Sequence, residues 1–124
     1  GTGCSLDASG AMAACLALAP VEPYQMALRF RGAWGLQVLG LSFVVGGESN
    51  LLPLPTASAR DGAWHDLDLL VTSNWVVVTL DGKALLKASR SGFRANPEAG
   101  LPGVGLAAWG GKARCESLAV ETLP

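Results

Sequence analysis

The 124 residues have the length of one domain, and a net charge of −1 with lysines and arginines scattered singly leaves no basic stripe of the kind that draws a protein to nucleic acid. Only 15% of the residues are charged, against about 25% in ordinary soluble domains, while half are apolar and the mean hydropathy is +0.36; part of so weakly solvated a surface is expected to lie against another domain or subunit. The longest weakly polar run, Ala11 to Val21, is about half of the roughly 20 residues a membrane helix needs and is closed by Pro20 and Pro23, so no membrane insertion is expected.

Residues 1–23 are the least defined segment, rich in Gly, Ser and Ala and carrying Cys4 and Cys15. A short loop between two cysteines suits a disulfide in an oxidising compartment; three free buried thiols in a reducing one is the alternative. No signal peptide is visible at Gly1, and a start without methionine suggests a processed or excised chain. Beyond this segment, 16 glycines and seven prolines punctuate short alternating runs, and helical periodicity is lacking. Short strands with frequent turn signals predict an all-β, antiparallel two-sheet β-sandwich over residues 1–124. The strands are expected near Met12–Leu18, Tyr24–Arg31, Trp34–Leu39, Leu41–Val45, Trp64–Val71, Trp75–Leu80, Ala84–Ala88, Val104–Trp109 and Ala113–Thr122, with loops at Glu48–Asp61 and Ser89–Pro102.

The central hairpin fixes two faces. With Thr72-Ser73 as a two-residue turn, Val71 faces Asn74, and the pairs run from Leu70–Trp75 and Leu69–Val76 down to His65–Leu80. Leu67, Leu69, Val71, Val76, Val78 and Leu80 then form the core face. Trp64, Asp66, Asp68, Leu70, Trp75, Val77 and Thr79 form the other face. Asp81-Gly82 signals a type I′ turn, which sends Leu85 back to face Val78. The last strand needs a bulge near Glu116-Ser117 to bring Cys115, Leu118 and Val120 to one face.

Few residues carry chemistry. His65 is the sole histidine and points at the core edge near Leu80, the setting of a structural histidine rather than a catalytic base. No Cys-x-x-Cys pair or His cluster offers zinc a site, and Glu48, Asn50, Asn96 and Glu98 supply calcium-type oxygens without a dense acidic loop, so no metal and no cofactor is assigned. The pairs Gly46-Gly47 and Gly110-Gly111 and the run Gly103-x-Gly105 mark turns and close strand packing, without the strand-to-helix context of a phosphate loop. The four tryptophans carry most weight. An indole face stacks on the C–H face of a pyranose while a carboxylate orients the hydroxyls, and Trp64, Asp66, Asp68 and Trp75 share the non-core face. They are the expected ligand-binding residues; packing of that face against another domain is the competing reading.

The order Trp64-His65, an alternating strand, Leu80-Asp81-Gly82, and Gly103 to Trp109 before a closing strand resembles the concanavalin A-like and laminin G-like jelly rolls. It is also similar to the sandwich domains appended to glycoside hydrolases such as galactocerebrosidase. The resemblance covers roughly Tyr24 to Leu123 and implies an extracellular or lumenal module that binds a glycan or a protein partner. Some jelly-roll glycanases use an acidic-x-Asp-x-x-Glu strand; here Asp66 and Asp68 are present but Val71 stands where the Glu is required, so no catalysis is expected. The chain also departs from the family in its missing calcium loop, its short N-terminal half, and its Cys115 in place of an aromatic; the resemblance thus implies that Cys115 is a buried core thiol, which argues against its pairing with Cys4 or Cys15. The usual modules are longer, which points to a piece of something larger. The resulting expectation is a non-catalytic carbohydrate-binding or adhesion module, with a structural or accessory sandwich packed in a larger assembly as the alternative.

Overall fold

Buried and exposed side chains alternate without interruption along Tyr24–Gly32 and nearly so along His65–Val71, the period of a strand with one face in a core. The computed structural model describes residues 3–55, 57, 60–96 and 101–124. Its strands are β1 (Cys4–Asp7), β2 (Ala13–Ala17), β3 (Tyr24–Gly32), β4 (Val38–Val45), β5 (Glu48–Pro53), β6 (His65–Val71), β7 (Trp75–Leu80), β8 (Lys83–Ser89), β9 (Val104–Trp109) and β10 (Lys112–Thr122). They form an antiparallel β-sandwich of a six-stranded sheet, β1-β10-β3-β6-β7-β8, over a four-stranded sheet, β2-β9-β4-β5.

The core lies between the layers. Met26, Leu28 and Phe30 of β3, with Leu67, Leu69, Val76 and Val78 of the central hairpin, meet Leu39, Leu41 and Phe43 of β4 and Leu106 of β9. A polar tie crosses the same gap: the Tyr24 hydroxyl donates to the Val44 carbonyl at 2.6 Å and accepts from the Val44 N–H at 3.2 Å. Burial pushes that phenol up to about 12, against the opposing effect of the Val44 bond, so it remains a donor at any physiological pH. Tyr24→Phe, which removes both bonds but keeps the ring, is expected to cost about 1–2 kcal/mol in urea unfolding; a change below about 0.3 kcal/mol would show that the tie contributes nothing.

Several expectations are corrected. In the N-terminal segment, β2 falls within the expected Met12–Leu18 strand and edges the small sheet, while β1, which was not expected, edges the large one. The runs Trp34–Leu39 and Leu41–Val45 are not two strands; residues 33–37 form the turn, and β4 runs straight through Gly40. Gly40 is not a break but a contact, since a Cβ there would stand 2.9 Å from Leu51 Cδ1. Within the expected loop 48–61, the polar start Glu48-Ser49-Asn50 concealed β5, an edge strand joined to β4 by the Gly46-Gly47 turn with φ of 60° and 79°. Residues 56, 58 and 59, and 97–100 of the second expected loop, lie outside the described residues.

The central hairpin turns one residue later than expected. Thr72 Oγ1 accepts the N–H groups of Asn74 and Trp75 at 3.2 and 2.9 Å, and the Thr72 N–H donates to the Trp75 carbonyl at 2.9 Å, so Ser73-Asn74 is the tip. Val71 pairs with Val76 and Leu67 with Leu80. This moves each residue two places along its partner, which preserves both faces, and all six expected core residues are buried. Asp81-Gly82 turns as expected, with φ of 50° and 81°, but a bulge after Val78 pairs it with Leu86 rather than Leu85. The bulge in β10 falls where the sequence places it: Ser117 has φ 54°, Cys115 is fully buried, and Leu118 and Val120 pack on the core.

Candidate ligand groove on the six-stranded sheet

The pairings of β10, β3, β6, β7 and β8 set the outward side chains in rows across the large sheet. One row reads Glu121, Gln25, Leu70, Val77, Lys87; the next reads Ala119, Ala27, Asp68, Thr79, Ala84. Two alanines side by side, Ala119 and Ala27, lower the β10–β3 end of the second row beside Asp68. The result is an open groove of about 850 Å³ that Gln25, Ala27, Asp68, Leu70, Thr79 and Glu121 help to line, within the range of about 300–1,000 Å³ typical of ligand clefts. The bulge at Ser117 is what returns Ala119 and Glu121 to this face beyond the break in register.

The groove offers an apolar floor with oxygen acceptors at its side. Leu70 and Val77 are half-buried and supply apolar surface. Partial burial, and secondarily the charge of Asp66, raises the Asp68 carboxyl above its ordinary value. Gln25 Nε2 donates to Glu121 Oε1 across the strand pair, which orients the amide beside the cleft. Carboxylate, amide and hydroxyl above an aliphatic floor are the groups that recognise a molecule with hydroxyls on its edges and C–H groups on its face.

The four expected binding residues share this face but not one site. Asp68 lines the groove; Asp66 is one row away and faces Arg29 at 3.8 Å, both side chains being more than half exposed. Trp64 lies past the β6 start, and its ring carries the guanidinium of Arg31 at 5.0 Å from the centroid and that of Arg29 at 5.7 Å. Trp75, 45% exposed, sits beyond the opposite end with the Lys87 ammonium at 5.2 Å. At about 3.3 Å per residue the two indoles stand roughly 25 Å apart, too far to clamp one sugar. Gln25, Ala27, Ala119 and Glu121 were not singled out from the sequence. The alternation of Tyr24–Gly32 marks the first two as outward, yet nothing local says that β3 and β10 lie beside β6.

His65 is buried at the core edge and has more partners than the sequence suggests. Its Nδ1 is 2.6 Å from Asp81 Oδ2 and its Nε2 is 2.8 Å from Asp61 Oδ1, while Phe30 packs on the ring at 5.5 Å. Asp81 also accepts the Asp66 N–H at 2.8 Å, so one carboxylate ties the β7–β8 turn to the start of β6. Burial opposes the charged ring, but the bonds and charges of Asp61 and Asp81 outweigh it and raise the His65 pKa above 6.5. Both aspartates are lowered, Asp61 chiefly by its bond to His65 and Asp81 chiefly by the Asp66 N–H. The histidine's contribution is complete below about pH 6.5 and is lost as pH rises through its raised folded value. The aspartates' contribution is present above their ordinary range and is lost as pH falls through their lowered values. The thermal midpoint is therefore expected to peak at mildly acidic pH and to fall as pH rises from about 6.5 through the raised His65 value, and His65→Gln should remove that slope; an equal slope in the variant would refute the assignment.

No cluster of three or more His, Cys, Asp or Glu side chains among the described residues is placed to hold a metal. Asn50 and Asn96 spend their amides elsewhere: Asn50 Oδ1 accepts the Asn96 N–H at 3.0 Å, and Asn96 binds the Leu51 N–H and carbonyl, each at 3.2 Å. Glu98 lies outside the described residues.

No family model matches the chain, and no curated protein does. Among solved structures, a provisionally assigned glycosyl hydrolase from Parabacteroides distasonis shares 10% identity at a TM-score of 0.57, over 91% of this chain and 74% of its own. A second from the same organism shares 12% at 0.56, over 82% and 79%. The carbohydrate-binding module CBM66 from Bacillus subtilis shares 12% at 0.52, over 98% and 83%. At such identities the likeness is one of fold, a β-sandwich on nearly the whole chain.

Proposed function

We propose that this chain is a non-catalytic carbohydrate-binding module of concanavalin A-like type, working in an extracellular or lumenal setting, and that it holds its glycan in the groove on the six-stranded sheet. The observation that carries the reading is the row Ala27–Asp68–Thr79, where a lowered floor meets a carboxylate and a hydroxyl beside apolar Leu70 and Val77. A pyranose laid on Leu70 and Val77 would present hydroxyls to Asp68, Thr79 and Gln25. The fold shared with a carbohydrate-binding module supports the reading. Asp68 serves as an acceptor in this account, with Asp66 engaged by Arg29 and the core residue Val71 where a third acid would be needed. Binding requires no calcium. A glycan array probed with the purified chain, in calcium and in chelator, is expected to show selective binding unchanged by the chelator. A folded chain that binds nothing would overturn the reading, and sugar release that depends on Asp66 or Asp68 would overturn its non-catalytic part.

A second reading is favoured by the other sheet. Glu48 is the only charged residue in the four strands β2, β4, β5 and β9, and their outward rows hold Ala14, Ala107, Gly40 and Pro53, then Leu16, Gly105, Ser42 and Leu51. Gly40, Ser42, Gly105 and Ala107 at the centre of these rows are buried within the chain, so a structural or accessory domain would pack against the partly or fully exposed Ala14, Leu16, Leu51 and Pro53 that flank them, not against the charged face that the sequence suggested. Concentration-dependent self-association in size-exclusion chromatography would favour it.

A further inference from the structure

The outer face of the six-stranded sheet carries a second cavity at its Arg31 end, where β1, β10 and β3 lie side by side. The register sets two rows of outward side chains there. One reads Asp7, Lys112 and Ala33; the other reads Ser5, Arg114 and Arg31, with Trp64 next in line beyond the Phe30–His65 pair. The Gly62 N–H donates to the Gly32 carbonyl at 3.2 Å, and a Cβ on Gly62 would meet no atom within 4 Å. Gly32, Ala33 and Gly62 are all small, and they leave a pocket of about 420 Å³ bordered by the cations Arg31, Arg114 and Lys112. That volume is within the range of ligand clefts.

These cations stand against their own repulsion. Arg31 and Arg114 are directly opposed across an antiparallel strand pair, which costs stability when both residues carry the same charge. Each is steadied on its far side: Arg114 Nη1 donates to Ser5 Oγ of β1 at 3.3 Å, and the Arg31 guanidinium lies over the Trp64 ring, 5.0 Å from its centroid. Among the described residues neither Arg31 nor Lys112 is ion-paired. Asp7 faces Lys112 in the register, but its Oδ1 accepts the Ser9 hydroxyl at 2.6 Å and the Ser9 N–H at 3.2 Å. Glu116 comes no closer than 3.7 Å to Arg114 Nε, with both side chains exposed, so that pair is weak. Positive charge is thus gathered at one pocket of a chain whose net charge is −1.

We propose that this pocket is a second binding site, which takes a sulfate or phosphate ester group carried on a small molecule such as a sugar. Such an ester turns three outer oxygens in different directions, and Arg31, Arg114 and Lys112 approach from two strands and two rows, so each meets one of them. A planar carboxylate has two oxygens, which a single guanidinium fork satisfies, and it would leave part of this cation set unused. Ser5 Oγ accepts from Arg114 and keeps its own hydrogen to donate. Ala33 and Gly62 leave room for the group that bears the ester. An anion seated between Arg31 and Arg114 also offsets the repulsion between them.

The site is separate from the groove over Ala27. Arg31 lies four residues farther along β3, about 13 Å at roughly 3.3 Å per residue. The exposed charges make its affinity sensitive to salt. The two esters differ in their response to acid: a phosphate ester loses charge below its second pKa of about 6, whereas a sulfate ester keeps its charge.

The test is calorimetric titration of the purified chain, at low ionic strength, with glucose 6-sulfate, glucose 6-phosphate, glucuronate and glucose. At least one ester is expected to bind with a dissociation constant of about 1 mM or lower, glucuronate at least about fivefold more weakly, and glucose not at all. Weakening between pH 7 and 5 identifies the phosphate ester as the ligand form, and a flat profile the sulfate. Arg31→Gln and Arg114→Gln are each expected to weaken the ester by about tenfold or more. Ala33→Phe, which keeps every charge and fills the floor, is expected to abolish binding. Lys83→Gln, which removes a charge at the far edge strand β8, and Ala27→Trp, which fills the other groove, are expected to leave it unchanged. No binding of either ester, equal affinity for glucuronate, an equal loss in Lys83→Gln, or wild-type affinity in a folded Ala33→Phe chain would each overturn the proposal. None of these results bears on the groove over Ala27, whose own ligand is measured separately.

Discussion

A Gly105→Ala chain is expected to lose most of its native stability. Gly105 sits in β9 opposite Leu16 of β2 with φ 159°, and an added Cβ would stand 2.0 Å from the Cys15 carbonyl oxygen and 3.1 Å from Leu16 Cα. Those neighbours are backbone, so no side chain can swing aside to relieve the overlap. Relief requires β2 to leave β9. The cost is expected to reach about 4 kcal/mol or more, a large share of the roughly 5–15 kcal/mol that holds a domain of this size together. Gly10→Ala is the control, because a Cβ there meets no atom within 4 Å. Urea midpoints of the two variants should differ widely. A Gly105→Ala chain within about 1 kcal/mol of wild type would show that β2 is not seated as described.

Asp68→Ala is expected to weaken binding of the selected glycan by about 10- to 100-fold, the value of one or two hydrogen bonds to a charged acceptor. The effect should exceed that of Trp75→Ala or Trp64→Ala, because neither indole lines the groove and the Trp64 ring already carries two arginines. Calorimetric titration of the three variants with the array-selected glycan measures the order directly. A dominant loss in Trp75→Ala would move the site to the Thr72–Trp75 end of the sheet.

What could be read from the chain without its fold follows the range of the interactions involved. Strand period and turn chemistry are local, so both faces of Trp64–Leu80, the Asp81-Gly82 turn and the β10 bulge were legible in the sequence. The Thr72 hydroxyl moved the hairpin tip by one residue, and the choice between Thr72-Ser73 and Ser73-Asn74 rests on that single side chain, which residue preferences do not weigh. The strand β5 was hidden because an edge strand tolerates polar residues and a terminal proline, the same composition that marks a loop. Site assembly was the least legible part. Asp68 was readable as outward, but its neighbours Ala27 and Ala119 come from strands some 40 or more residues away, and sheet order is a property of the whole chain. His65 shows the same limit: its place at the core edge was readable, whereas Asp61 and Asp81 as its two partners were not.

The central claim is that the lowered row over Ala27 receives the glycan, and its most direct measurement is the affinity of Ala27→Trp for the glycan the wild-type chain selects. Ala27 points out of the sheet, so an indole there fills the groove without entering the core, and tryptophan suits a strand. The account predicts a loss of at least about 30-fold in affinity, with a thermal midpoint within about 3 °C of wild type. Wild-type affinity in a folded Ala27→Trp chain would contradict it.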